Sequence, residues 1–294
     1  MTRFAGVQKK IRYISGMHRS GTTWAGQIAA HAMPDAVLHE PLNANTGLRG
    51  VDKWYYGPDE GDYVASLLRD MLAGRLNFRR RRGTDTWAKN LVRSISGSRY
   101  ERQLRAALSG DNSAIILKDP FLIRLGTMMA ETFDAKGVIL KRHPAALINS
   151  LNRMGWILPD TNGKLIETYS PDPETQFAFQ IGRFWAALYA EVDEQAKARP
   201  DMILIIRHED LCEEPIALGE RMLAHLDLPL NQAATDFLTT STSGKIGEES
   251  GSQLFSMHRD ARALAHSWRN KLSPEIIEAV QTGGGDVLRR AYPE

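Results

Sequence analysis

One cysteine, Cys212, is all that the 294 residues contain. No internal disulfide can form, and a reducing compartment fits that usage. Long hydrophobic runs are also missing: no apolar stretch approaches the roughly 20 residues that a membrane span needs. The N-terminal "MTRFAGVQKKIRYIS" lacks the apolar core of a secretory leader. Net charge is almost absent at +2, so no strong global pull towards nucleic acid operates. There is no internal repeat and no low-complexity segment. These absences lead to the expectation of a cytoplasmic protein. With 43% hydrophobic and 24% charged residues the composition is ordinary for a globular chain. A chain of this length buries roughly three quarters of its unfolded surface, enough for a substantial core.

Short β-branched runs alternate with longer helix-compatible stretches. The runs are "IRYIS" (11–15), "AVLH" (36–39), "AIILK" (114–118), "GVILK" (137–141) and "MILII" (202–206). Nearly continuous apolar strands of this length suit a parallel sheet covered on both faces. The alternation predicts an α/β doubly wound parallel sheet flanked by helices, with right-handed connections. Each run ends in polar chemistry: Ser15-Gly16, His39-Glu40-Pro41, Lys118-Asp119-Pro120, Arg142-His143-Pro144 and Arg207-His208-Glu209-Asp210. Ligands of open parallel sheets bind outside the carboxyl ends of the strands, so five such ends imply an anion-binding site. Two regions interrupt the rhythm. Residues 43–110 read as a mostly helical, basic insertion, and residues 152–176 as a long Pro- and Gly-containing loop.

The first strand runs into "SGMHRSGTTW", which resembles a phosphate-binding loop but lacks its lysine. A loop from strand to helix N-terminus offers unpaired backbone N–H groups and a positive dipole end. Gly16 and Gly21 allow close approach, and Arg19, Ser20, Thr22 and Thr23 add donors. The lysine of the ordinary loop reaches the β- and γ-phosphates of a triphosphate. Its replacement by Arg19, at a different place, favours a shorter anion such as a phosphosulfate. A second anion grip lies in "RHPAALINS" (142–150). Arg142 ends a strand, Pro144 suits a first helical turn, and Ser150 projects on the same side two turns later.

In four segments the chain resembles the sulfotransferase family that uses 3′-phosphoadenosine 5′-phosphosulfate: "RSGTTW" (19–24), "RHPAALINS" (142–150), "IRHEDL" (206–211) and "SWRNKLS" (267–273). They keep the family's order over almost the whole chain, and the "RSG" is closer to bacterial and carbohydrate-type members. The resemblance implies one P-loop-like domain spanning 1–294, with that nucleotide as co-substrate and no metal. By it, Arg19, Ser20, Gly21, Thr22 and Thr23 hold the 5′-phosphosulfate with Trp24 beside them, and Arg142 and Ser150 hold the 3′-phosphate. Arg259 is a further candidate for the 3′-phosphate, although the "RKG" motif of the cytosolic type is absent. The missing lysine follows, because the donor has no γ-phosphate.

Transfer of a sulfuryl group to a hydroxyl needs a base near the acceptor oxygen and positive charge on the leaving group. Glu40 in "HEPLN" resembles the "EPL" glutamate of carbohydrate-type members and is the expected base. The competing reading makes it a salt-bridge partner of Arg19 or Lys118. His39 is the other candidate base, and residue chemistry alone does not choose between them; strand alternation sends the two to opposite sides. Lys118 and Arg19 are expected to meet the developing charge. Asp119 is expected to pair with Lys118 or orient the acceptor. His18 is read as a loop-stabilising residue, Arg207, Glu209 and Asp210 as structural, and Trp268 as packing.

The acceptor is expected to be a saccharide, a glycolipid or another small hydroxyl compound. Residues 75–105 carry ten Lys or Arg against two acidic residues, centred on "FRRRRG" (78–83). That stretch suits an anionic acceptor, peripheral membrane contact or a plain solvated face. Nucleic acid is not expected, since no recognisable module is present. Trp54, Tyr55 and Tyr56 are either sugar-stacking rings or core. A homodimer is compatible with the chain. The alternatives are a P-loop kinase or NTPase, and an inactive nucleotide- or sulfated-ligand-binding module.

Overall fold

The structure is a computed structural model that describes residues 2–4, 7–75, 77–79, 99–153, 167–242 and 265–293. Its centre is a parallel sheet of five strands: β2 (Val7–Gly16), β3 (Val37–His39), β4 (Ala114–Lys118), β5 (Lys136–Lys141) and β6 (Ile203–Arg207), in the order β3-β4-β2-β5-β6. A short β1 (Thr2–Phe4) pairs antiparallel with β2. The five expected strands are all present, with ends that match the runs to within one residue except at the start of β2. β2 begins four residues earlier than its β-branched run because its first half pairs with β1.

Alternation along the strands divides the core in two. Ile14, Ile116, Val138, Leu140 and Ile206 face one side and pack with α1 (Thr22–Ala32) and with later helices over Pro215–His225 and Gln232–Thr242. Tyr13, Ile115, Leu117, Ile139 and Ile203 face the other side, against the long helix Pro173–Ala198 and the C-terminal helix Pro274–Ala291. Both faces are therefore covered, which explains why the strands read as unbroken apolar runs.

From β2 the chain moves outward to β3 and returns through β4; it then crosses β2 to β5 and β6. The order reverses between β2 and β5, and the loop after β2 and the residues after β5 flank that point. Within the expected insertion lie α2 (Gly61–Leu72) and α3 (Arg99–Ser109), whose apolar faces join the core through Leu68, Leu72 and Leu104. The centre of the basic stretch, 80–98, and most of the expected loop at 152–176 fall outside the described residues, as does Arg259.

Candidate active site

The loop after β2 is built by two backbone requirements. A Cβ on Gly16 would lie 2.5 Å from the Leu140 carbonyl oxygen, so the neighbouring strand demands glycine there. Gly21 takes φ +92° as the residue before α1, and a Cβ on it would meet His208 Nδ1 at 2.4 Å. Among the described residues no side chain caps α1, and its first N–H groups face the loop. Arg19 adopts φ +70° between the two glycines. Ser20 and Thr22 are buried and Thr23 is exposed. Trp24 donates from Nε1 to Ser241 Oγ (3.0 Å), and its ring meets His208 edge-on at 6.0 Å.

The residues after β5 reach this loop directly. Arg142 Nη1 donates to the Arg19 carbonyl (3.0 Å), and Arg19 Nε donates to Ser150 Oγ (2.8 Å). Two hydrogen bonds thus link Arg19 with Arg142 and Ser150. Burial lowers the Arg142 pKa, with the Glu209 carboxylate opposing. Among the described residues its Nε has no hydrogen-bond partner, and neither does His208 Nδ1; both atoms are buried. A buried donor left unmade costs about 1–3 kcal/mol, so this corner of the fold carries unsatisfied polarity.

The ends of β3 and β4 supply the other side of the site. Lys118 is 2% exposed, which excludes the solvent-facing lysine. Its Nζ donates to Glu40 Oε1 at 2.6 Å, and Asn43 Nδ2 donates to Oε2 at 3.0 Å. Burial opposes ionisation of Glu40, but the charge and hydrogen bond of Lys118 outweigh it and hold the carboxyl below the usual range. β3 stops at His39, and Glu40 has φ +48°. Strand alternation, expected to set His39 and Glu40 on opposite faces, therefore does not extend to Glu40, which has already turned out of the strand. The Lys118 pairing considered in the competing reading of Glu40 is present, and it lies at the same place as the expected base.

Asp119 does not pair with Lys118. Its Oδ2 accepts the Leu42 N–H (2.6 Å) and its Oδ1 the Phe121 N–H (3.0 Å), so it braces the segment that carries Glu40. Full burial raises its pKa to about 7. His18 is placed as a loop brace: Nδ1 lies 2.5 Å from the Tyr55 hydroxyl, and its ring packs on Phe121 and Trp54. Burial lowers its pKa to about 4, so the ring is neutral at physiological pH. Tyr55 and Tyr56 are core residues, and Trp54 alone of the three is partly exposed. Arg207 clamps Asp210 with two bonds of 2.7 Å, and Glu209 accepts from the His143 N–H and the Tyr292 hydroxyl. Trp268 is buried and stacks on His143 with centroids 4.3 Å apart.

The family model for sulfotransferases matches residues 13–232, a span that contains the loop, Glu40, Lys118, Arg142 and Ser150. The chain belongs to the sulfotransferase family. This sulfotransferase chain is also 32% identical over 79 residues to carbohydrate sulfotransferase 1 of Danio rerio, covering 27% of the chain and 19% of that relative. The match thus spans about a fifth of the relative's length. Among solved structures it is similar to the sulfotransferase domain of the curacin biosynthetic pathway, at 17% identity and TM-score 0.49, covering 93% of this chain and 96% of that one. A mouse sulfotransferase complexed with PAP matches at 12% identity and TM-score 0.47, covering 97% and 88%. Among the described residues no group of three or more His, Cys, Asp or Glu is placed to hold a metal, and no helix is long and apolar enough to cross a membrane.

The sequence pattern does not single out Asn43 or Tyr189, and it marks His208 only as part of the polar end of the fifth run. Asn43 follows Glu40 by three residues, the spacing of a tight turn, and that signal was available. His208 follows β6 at the same carboxyl edge of the sheet, whereas Tyr189 lies on the long helix and only tertiary packing brings it to the loop.

Proposed function

We propose that the protein transfers a sulfuryl group from 3′-phosphoadenosine 5′-phosphosulfate to a hydroxyl of a carbohydrate or glycolipid, by in-line displacement. The observation that carries this reading is the convergence at the switch point of the α1 N-terminus, the buried Arg142, whose Nε has no partner among the described residues, and the Lys118–Glu40 pair. The donor, when bound, supplies the sulfuryl group and an anionic leaving group. Arg19, Ser20, Gly21, Thr22 and Thr23 would surround its 5′-phosphosulfate, with Trp24 beside the nucleotide. Arg142 and Ser150 would hold its 3′-phosphate.

Glu40 receives the proton of the acceptor hydroxyl, and its depressed pKa keeps it ionised and ready to accept at neutral pH. Lys118 Nζ and the Arg19 guanidinium neutralise charge on the departing oxygen. In the structure Lys118 and Glu40 hold one another, so donor anion and acceptor hydroxyl must part them, each taking one partner. In this reading the whole chain is one domain, with 43–110 as its insertion. The carbohydrate acceptor is supported by the Danio rerio relative and by the half-buried Trp54 packed against His18 and Phe121.

Calorimetry with adenosine 3′,5′-bisphosphate and with ATP tests the donor. The bisphosphate is expected to bind without magnesium; binding of ATP with Mg²⁺ and none of the bisphosphate would refute the proposal. A panel of sugar, lipid and phenol acceptors with labelled donor then identifies the acceptor class.

A further inference from the structure

One stripe of the long helix Pro173–Ala198 touches both halves of the proposed donor site. Tyr189 is fully buried, and its hydroxyl donates to the Leu140 carbonyl (2.7 Å) while accepting the Met17 N–H (3.2 Å). The Ser20 hydroxyl lies 3.4 Å away. β2 and β5 run parallel up to the pair Gly16–Leu140, so the Tyr189 hydroxyl sits where the two strands begin to part. It bridges a donor on one strand to an acceptor on the other. One turn earlier, Trp185 Nε1 donates to the Arg142 carbonyl (2.8 Å). One turn later, Asp193 accepts from Lys141 Nζ (2.5 Å), whose charge also lies 5.2 Å from the Tyr189 ring centroid. Positions 185, 189 and 193 recur every four residues on one helix face, and together they grip residues 140–142. Packing alone would be served by Phe or Leu. A hydroxyl and an indole N–H in a dry core are stable only when bonded, and here both bond main-chain groups of the two segments that flank the switch point.

We infer that Trp185 and Tyr189 are positioning residues that set the distance between the loop 16–21 and Arg142, and so select a nucleotide with two separated phosphate groups over one with a single phosphate. This rests on the donor reading above. Tyr189 acts on the loop and Trp185 on the arginine, and the two rings touch at 4.8 Å between centroids, so the helix holds both halves in one frame.

The test compares the affinities of adenosine 3′,5′-bisphosphate and of 5′-AMP by calorimetry, for the parent, Tyr189→Phe and Trp185→Phe. In each variant the preference for the bisphosphate is expected to fall roughly tenfold, the size of one lost hydrogen bond, while the 5′-AMP affinity changes less. A mere loss of stability would weaken both nucleotides alike. An unchanged ratio in variants that melt as a folded protein does would overturn the inference alone. A parent that binds no bisphosphate would overturn the donor reading, and the inference with it. Hydrogen exchange of the parent gives a measure that needs no variant. Adding bisphosphate should slow exchange at 185–193 together with 16–21 and 140–142. Protection confined to the loop would count against the shared frame.

Discussion

Glu40 stands one residue beyond β3 with φ +48°, a left-handed conformation that costs a non-glycine residue of order 1 kcal/mol or more. The turn it makes is held by its own N–H, which donates to the Lys118 carbonyl (2.8 Å), and by Asp119 through Leu42. Glu40→Gln should reduce turnover by at least a hundredfold, in the range of a lost general base, with bisphosphate affinity kept. Unaltered turnover would remove Glu40 from the role and return His39 to it. The pH profile separates the same two residues. Because Lys118 holds the Glu40 pKa low, kcat/KM should stay flat through pH 6–7 and fall only below the ordinary carboxylate value, about 4.3. A loss centred near neutral pH would take the limb away from Glu40 and point to His39 or to the buried Asp119, whose pKa is about 7. Gly21 gives a second prediction at this scale. Gly21→Ala faces both φ +92° and His208 at 2.4 Å, so it should lower stability by roughly 1–3 kcal/mol and weaken nucleotide binding, read by melting and calorimetry together.

At the scale of elements, the site depends on strand ends that stop where their side chains are needed. β4 ends on Lys118, β5 is followed by Arg142, and α1 starts uncapped beside both. A contrasting device appears at the other end of the sheet. Lys9 of β2 is buried, and its Nζ donates at 2.6 Å to the carbonyls of Ala107 and Gly110, at the last turn of α3. Burial lowers its pKa, and nearby Asp111 works the other way. These are helix-end carbonyls that would otherwise lack partners. Lys9→Met keeps the stem and removes the donor. It should cost about 1.5–3 kcal/mol, the worth of a charged hydrogen bond, and raise hydrogen exchange over residues 99–109 first. An unchanged exchange rate there would show that α3 is held by its apolar face through Leu104 and Ala107 alone.

Over the whole molecule, charge is arranged oppositely at the two ends of the sheet. At the amino ends of β2 and β5, Asp227 meets Arg12 (2.5 Å), Lys136 (2.8 Å) and Lys10 (3.2 Å). Burial opposes its charge, but the hydrogen bonds from Lys136, Lys10 and Arg12 prevail and hold its pKa well below the usual range. A depressed carboxylate stabilises the fold above its unfolded pKa and loses that contribution as pH falls. Asp227→Asn should therefore lower stability by roughly 1–3 kcal/mol at neutral pH. The gap between parent and variant melting temperatures should hold down to about pH 5 and shrink below about pH 4, the ordinary aspartate value. At the carboxyl ends the charges remain clustered and partly unsatisfied, as a site for an anion requires.

The five strands, their polar ends and the arginine loop were legible in the sequence, because a two-faced parallel sheet writes itself as short apolar runs and a strand-to-helix turn as a glycine pair. Those are local properties of consecutive residues. A second grip at Arg142 and Ser150 was also legible, since Arg142 follows a strand and Ser150 lies two turns along the helix after it. What only the tertiary structure decided depends on groups far apart in sequence. Lys118 is buried and paired because β3 and β4 lie side by side, and Glu40 turns out of its strand because Asp119 and Lys118 hold its backbone. Arg19 bonds Ser150 because β2 and β5 are neighbours. Tyr189 and Trp185 read as core residues from their helix. They become the frame of the site only when that helix crosses the point where the two strands part.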